Sequence, residues 1–326
     1  MKISFAEGFT KAIYESLSAD PRVVLIGSGF MGLNSAARAT LEPALKDFSH
    51  RVHVTPISEL ALAGAGVGAA MAGLRPVVDL STGSFIFQAF PQVVNEAANI
   101  HYMTGGQTEV PVTFCSLMGM RGGGAAQHSH RVQAMLGQAP GLQILVPAAA
   151  DDAYHLLKWC LLESRNPTVF LSHALLLDEK MEVDLASPML PVGQARVRRE
   201  GRDVSVIASS ITVPRALAAA DVLDREHGVS VEVVDLRSIV PLDRATVLQS
   251  VARTGRAVIA DECYRSFGVA AEVAAILAED GLASLKAPVR RVAVPDVPIP
   301  YSPPLEAELT VTAEKIVAAV LHVLGR

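Results

Sequence analysis

Apolar residues run along this chain in short unbroken blocks, not in strict alternation. The blocks read RVVLIG at 22–27, RVHVT at 51–55, RPVVDL at 75–80, VPVTFC at 110–115, LQILVP at 142–147 and TVFLSH at 168–173. DVSVIASS at 203–210, SVEVVDL at 230–236, RAVIADE at 256–262 and VRRVAVPD at 289–296 follow. Such blocks predict strands buried on both faces, hence parallel sheets covered by helices and an α/β fold. Near the N-terminus the period changes: Phe5, Phe9, Ile13 and Leu17 fall along one side of a helix, and Ser4 with Glu7 has capping-box spacing. Between the sixth and seventh blocks the pattern breaks at DEKMEVDLASPMLPVGQARVRREG, rich in proline and charge. That break predicts two domains, residues 1–187 and 188–326, each of ordinary size.

Composition narrows the partner more than the fold. Half of the 326 residues are hydrophobic and 19% are charged, enough apolar material for full cores, and the net charge is −5. No Lys/Arg cluster exists to neutralise a run of phosphates, which argues against nucleic acid and for a small molecule or a protein. Cys115, Cys160 and Cys263 lie far apart with no C-x-x-C pair, as in a reduced cytoplasmic protein with buried thiols and no zinc site. The N-terminus lacks the apolar core of a signal peptide. The glycine-rich uncharged stretch Leu60 to Leu74 falls short of the roughly 20 apolar residues that cross a bilayer. A soluble cytoplasmic protein is expected.

Three stretches carry candidate chemistry. In VVLIGSGFMG, Gly27, Gly29 and Gly32 have the G-x-G-x-x-G spacing of a dinucleotide site. The strand that follows ends at Thr55 with no acid at its tip to hold a ribose, so a plain strand-to-helix turn explains the glycines better. In TPISELALAGAGVGAAMAGLRP, Glu59 stands before fifteen uncharged residues, most of them small. Each helical glycine there costs about 1 kcal/mol against alanine, a cost that close backbone approach across a helix pair or a subunit interface offsets. Spacing alone makes Glu59 a first-turn acid favoured by the helix dipole. In MRGGGAAQHSHRVQ, three glycines lead to His128 and His130. A histidine in such a loop suits acid/base or oxyanion duty, or is an ordinary surface residue; no HExxH pattern or nearby acid supports a metal pair.

Together TPISELALAGAGVGAAMAGLRPVVDL, SFIFQAFPQVVNEAANIHYMTGGQ, GGGAAQHSHR, PGLQILVPAAADDAYHLL and PDVPIPYSPPLE, in this order, resemble the beta subunits of the thiamine-diphosphate-dependent 2-oxoacid dehydrogenases, pyruvate, branched-chain and acetoin types included. The resemblance covers essentially the whole chain. It implies a parallel-sheet pyrimidine-binding domain followed by a transketolase C-terminal-like domain, assembled with an alpha subunit as an α2β2 heterotetramer. Enzymes of this class hold the cofactor diphosphate through Mg2+ with a G-D-G motif, and none occurs here, so the alpha subunit is expected to supply that half of the site. By resemblance Glu59 hydrogen-bonds N1' of the aminopyrimidine and favours the 4'-imino tautomer that deprotonates C2. Ile57 and Ser58 lie beside it in the cofactor-binding P-I-S-E, and Phe85 stacks on the pyrimidine. His128 is implied near the reacting carbons, assisting acyl transfer. Main-chain carbonyls near ESRNP resemble a K+ site, and Tyr102 in HYMTGGQ is expected to pack. The C-terminal domain is implied to dimerise beta subunits and to dock a lipoyl acyltransferase core, with Asp261 and Glu262 as candidate docking acids.

The chain departs from the family at acidic positions. Relatives commonly carry GED where Gly27, Ser28 and Gly29 stand, aspartate at Val54 and Pro91, Met-Phe at Ser81 and Thr82, and glutamate at Ser172 and Ala174. Several of those acids belong, by resemblance, to a polar channel linking paired active sites. The expected activity is cleavage of a 2-oxoacid or acyloin with transfer of the acyl or aldehyde unit, of the decarboxylating dehydrogenase type. A non-oxidative carboligase on the same heterotetramer is the alternative, and a catalytically silent scaffold subunit is an alternative of another class.

Overall fold

The computed structural model describes residues 1–27 and 35–326, so Ser28, Gly29 and Gly32 of the glycine motif lie outside the described residues. The chain divides into two compact units, Met1–Gly119 with His128–Leu190, and Met120–Gln127 with Pro191–Arg326. All ten apolar blocks overlap a strand.

In the first unit the strands Gln143–Leu145, Thr168–His173, Thr113–Met118, Arg75–Thr82, Val23–Gly27 and Val52–Val54 lie side by side in that order, all parallel. The central ones are buried along almost their whole length, as unbroken apolar blocks require. Ser4 accepts the Glu7 N–H at 3.1 Å and Glu7 accepts the Ser4 N–H at 2.6 Å, which starts the helix Phe5–Ala19 where the capping box predicts. Its buried face carries Phe5, Phe9, Ile13 and Leu17 and packs on the helix Ala150–Leu162. The two approach so closely that a Cβ on Gly8 would meet the Ala150 carbonyl oxygen at 2.4 Å.

Arg75, buried at the start of its strand, ties sheet to helix. Its guanidinium donates to the carbonyls of Leu161, Cys160 and Ser164. Removing it strands three carbonyls in an apolar setting, a cost of about 3 kcal/mol or more. Arg75→Met is therefore expected to lower the thermal unfolding midpoint by about 6 °C or more, read by circular dichroism; an unchanged midpoint contradicts this role.

The antiparallel pair Lys2–Ser4 and Lys180–Glu182 adds a small ribbon that three-residue segments give no pattern to predict. All three cysteines are buried; burial pushes the Cys160 thiol up to about 12 and raises Cys115 as well.

In the second unit the sheet order is Arg290–Val294, Ala257–Tyr264, Val204–Ala208, Val231–Asp235, Arg196–Arg199, parallel except for the last, which runs against Val231–Asp235. The helices Thr212–His227, Arg244–Thr254, Val269–Glu279 and Ala313–Val323 pack on it. Gly228, left-handed at φ 61°, ends the first of these. Asp261 and Glu262 are not docking acids at a solvated strand tip. Asp261, only 3% exposed, accepts the N–H groups of Cys263 at 3.2 Å and Ala270 at 3.1 Å, fixing the start of Val269–Glu279. Glu262 is buried against the Arg215 guanidinium at 2.7 Å. The strand block runs on through both residues to Tyr264, so they sit inside the sheet and not beyond it.

No helix among the described residues is long and apolar enough to cross a membrane.

Candidate functional site

Three strands of the first sheet, two of them adjacent, deliver the candidate residues from their C-terminal ends, where open parallel sheets bind ligands. Val52–Val54 leads to Glu59, Arg75–Thr82 to Phe85, and Thr113–Met118 to His128. At the tip of the second strand Ser81 takes a left-handed φ of 56°, and its N–H is held by the buried Asp79 carboxylate at 2.8 Å. That kink turns the chain into the tight helical turn Gly83–Ala89, on which Phe85 and Phe87 are half-buried.

Glu59 is the first residue of the helix Glu59–Met71 and is half-buried. Ser58 precedes it as N-cap, exposed and with no side-chain capping bond, and Ile57 is exposed. The glycine-rich helix lies close on its own sheet: a Cβ on Gly66 would fall 2.3 Å from Val78 Cγ2. Only part of the expected interface packing is thus spent inside the chain. On the outer face Leu60, Ala61, Ala65, Gly68 and Met71 are exposed without a charge among them. The helix also packs against the Phe85 turn and the following segment Pro91–Ala97.

The structure brings Phe85 and His128 together. Their rings meet edge to face with centroids 5.3 Å apart, and His130 makes the same contact with Phe87 at 5.2 Å. The His130 Nδ1 and Ser84 Oγ lie 3.1 Å apart, and burial lowers the His130 pKa, which favours its neutral form. The two histidines thus serve two different aromatic rings, and among the described residues no cluster of His, Cys, Asp or Glu is arranged to hold a metal. Next to them Arg131 and His173 are buried with Nη2 and Nε2 at 3.1 Å. Gly119, at φ 108°, makes room: a Cβ there would meet His173 Nε2 at 2.1 Å.

Several buried side-chain oxygens on these same segments have no hydrogen-bond partner in the chain: Thr55 Oγ1, Gln92 Oε1, Ser129 Oγ and Gln133 Oε1. Gln92 faces the Glu59 helix at Gly64, and Ser129 adjoins His128. Buried polar atoms are rarely left this way, and each of these fits a position completed by a ligand, a water or a partner. Tyr102 does not pack within the chain; it is 89% exposed, beside the exposed Met103. Near ESRNP the Ser164 carbonyl accepts from Arg75, Asn166 from the Ser164 hydroxyl at 3.1 Å and Pro167 from the Gln143 N–H at 2.9 Å. The arrangement offers a carboxyl group, a ring to stack against and an imidazole, a set suited to proton chemistry on an aromatic heterocycle. Ser84, Arg131 and His173 had no sequence signal beyond their neighbours; a serine two residues past a strand end is too common to single out.

Family models match both halves: the transketolase pyrimidine-binding domain over residues 1–179 and the transketolase C-terminal domain over residues 193–316. The chain is 40% identical to pyruvate dehydrogenase E1 component subunit beta-1, mitochondrial, of Arabidopsis thaliana, over 98% of this chain and 88% of that one. It is 37% identical to pyruvate dehydrogenase E1 component subunit beta of Rickettsia felis, over 99% and 98% of the two chains. Among solved structures it is similar to a split gene transketolase in an inactive beta4 tetramer, with a TM-score of 0.81 and 26% identity over 99% of this chain and 98% of that one. The chain therefore belongs to the transketolase-like family that includes the beta subunits of pyruvate dehydrogenase E1.

Proposed function

We propose that this chain is the beta subunit of a thiamine-diphosphate-dependent 2-oxoacid dehydrogenase first component, active with an alpha subunit in an α2β2 heterotetramer. One observation carries the reading: Phe85 and His128 meet at the C-terminal ends of adjacent parallel strands, with the Glu59 helix packed on the same turn. The residues fit a pyrimidine ring. Phe85 offers an aromatic face, Glu59 a carboxyl group to hold a proton at a ring nitrogen, and the orphaned oxygens of Thr55 and Gln92 offer further polar contacts. When bound, thiamine diphosphate supplies a carbon nucleophile that attacks the 2-oxoacid carbonyl. His128 would face the substrate's carboxylate and the developing oxyanion.

The chain leaves the diphosphate to its partner. It has no G-D-G motif for Mg2+, and among the described residues no acidic cluster replaces one. The half-exposed Glu59 and the uncharged outer face of its helix support a partner that closes over both. The relative in an inactive beta4 tetramer supports the same conclusion, that beta chains alone lack half the site. A K+ ion near Glu163–Pro167 fits less well, because the Arg75 guanidinium already occupies the Ser164 carbonyl. The three buried thiols fit a reducing compartment such as the cytoplasm.

Co-expression with the alpha subunit tests the reading. The assembled complex is expected to bind thiamine diphosphate with Mg2+ in calorimetry and, given pyruvate, to acylate a lipoyl acceptor. Binding without acyl transfer, but with condensation onto an added aldehyde, assigns the complex to a carboligase; no binding leaves a scaffold subunit and sinks the proposal.

A further inference from the structure

The glycine loop that precedes His128 is held by a carboxylate far along the chain. Glu306, in the first turn of the helix Pro303–Leu309, is 4% exposed. Its Oε1 accepts the Gly122 N–H at 2.6 Å and its Oε2 accepts the Gly123 N–H at 3.0 Å. Both glycines are left-handed, at φ 81° and 94°, which turns two successive amides toward one anion. A Cβ on Gly122 would meet nothing within 4 Å, so glycine is required there for backbone conformation and not for space. Charge-assisted bonds of this kind are about twice as strong as neutral ones. All of these residues lie in the second unit, which explains why Met120–Gln127 groups with it.

The loop has little order of its own. Beyond Gly123 it makes one turn of helix, Ala125–His128, far below the length at which helix sustains itself. Ala125 holds a left-handed φ of 53°, a strained conformation that persists only where its surroundings impose it. At its far end the segment is fixed by the Phe85–His128 ring contact and the Ser84–His130 contact.

We propose that Glu306 is a positioning residue for His128: its carboxylate fixes Gly122 and Gly123 and so sets the path of the five residues that end in the imidazole. The role of His128 rests on the function proposed above; the anchoring itself does not. Pro303 and Pro304 reinforce it, since proline in the first helical turn fixes the backbone from which Glu306 projects.

Glu306→Ala and Glu306→Gln, each assembled with the alpha subunit, test this. In wild type the amides of Gly122 and Gly123 are expected to be protected from hydrogen exchange. In Glu306→Ala, exchange over residues 122–128 rises at least about tenfold, and trypsin cuts faster after Arg121. Carbethoxylation of His128, followed by mass spectrometry, speeds up severalfold. Turnover falls roughly ten- to a hundredfold with little change in KM or cofactor affinity, as a displaced group predicts. Glu306→Gln keeps one acceptor oxygen and lies between, a graded rescue that a purely structural role would not show.

Unprotected amides in wild type overturn the proposal, as does an unchanged His128 modification rate in a loosened loop. If Glu306→Ala fails to assemble, wild-type exchange and Glu306→Gln decide alone. A wild-type complex without turnover removes the proposed function but leaves exchange and His128 modification to judge the anchor.

Discussion

Glu59→Gln is expected to slow exchange of the C2 proton of bound thiamine diphosphate by about a thousandfold or more while leaving assembly intact, measured by NMR on the complex after quenching in D2O. Glutamine matches glutamate in size and helix propensity, so the helix Glu59–Met71 should form as before. The lost first-turn charge forfeits about 0.3–1 kcal/mol of dipole interaction, small against the folding free energy of a two-domain chain. Because Glu59 is only half-buried in this chain, its replacement leaves no uncompensated group in the core. What glutamine cannot do is exchange a proton with a ring nitrogen. Cofactor affinity should change little, since the amide still offers a hydrogen bond. Wild-type exchange in the substituted complex removes Glu59 from the proton path, and loss of assembly makes it a structural residue instead.

The strands were legible because burial on both faces leaves an unmistakable mark: each of ten apolar blocks overlaps one. The first helix was legible from Ser4 and Glu7, whose reciprocal bonds depend on local spacing alone. Segments whose structure depends on distant residues were not. The ribbon of Lys2–Ser4 with Lys180–Glu182 joins segments some 180 residues apart, and neither carries a pattern. Asp261 and Glu262 read as exposed charges because nothing local announces Arg215 or the N–H groups of Cys263 and Ala270. Glu306 fell inside a motif that matched the family, yet its two glycine partners lie more than 180 positions away. Glu59 and His128 were marked by their neighbours in sequence, but the ring contact of His128 with Phe85 and the packing of the Glu59 helix on the Phe85 turn required the fold.

His128→Ala is expected to lower turnover of the 2-oxoacid by a hundred- to ten-thousandfold while sparing both cofactor binding and C2 exchange. The two readouts separate the proposed roles, Glu59 before the substrate arrives and His128 after. Structural cost is small by comparison. The edge-to-face contact with Phe85 is worth about 0.5–1.5 kcal/mol beyond its buried area, and a half-buried imidazole leaves no large cavity. Phe85→Leu serves as the control for that contact. It removes the ring that holds the imidazole but not the imidazole itself, so it should weaken cofactor affinity by about tenfold and lower turnover far less than His128→Ala. Single-turnover measurement with pyruvate locates the loss, since a group that meets the developing oxyanion affects the step after substrate binding and leaves KM nearly unchanged. Equal turnover in wild type and His128→Ala takes the histidine out of the chemistry, and a matching loss of C2 exchange would instead mean that the substitution disturbs the Glu59 side of the site.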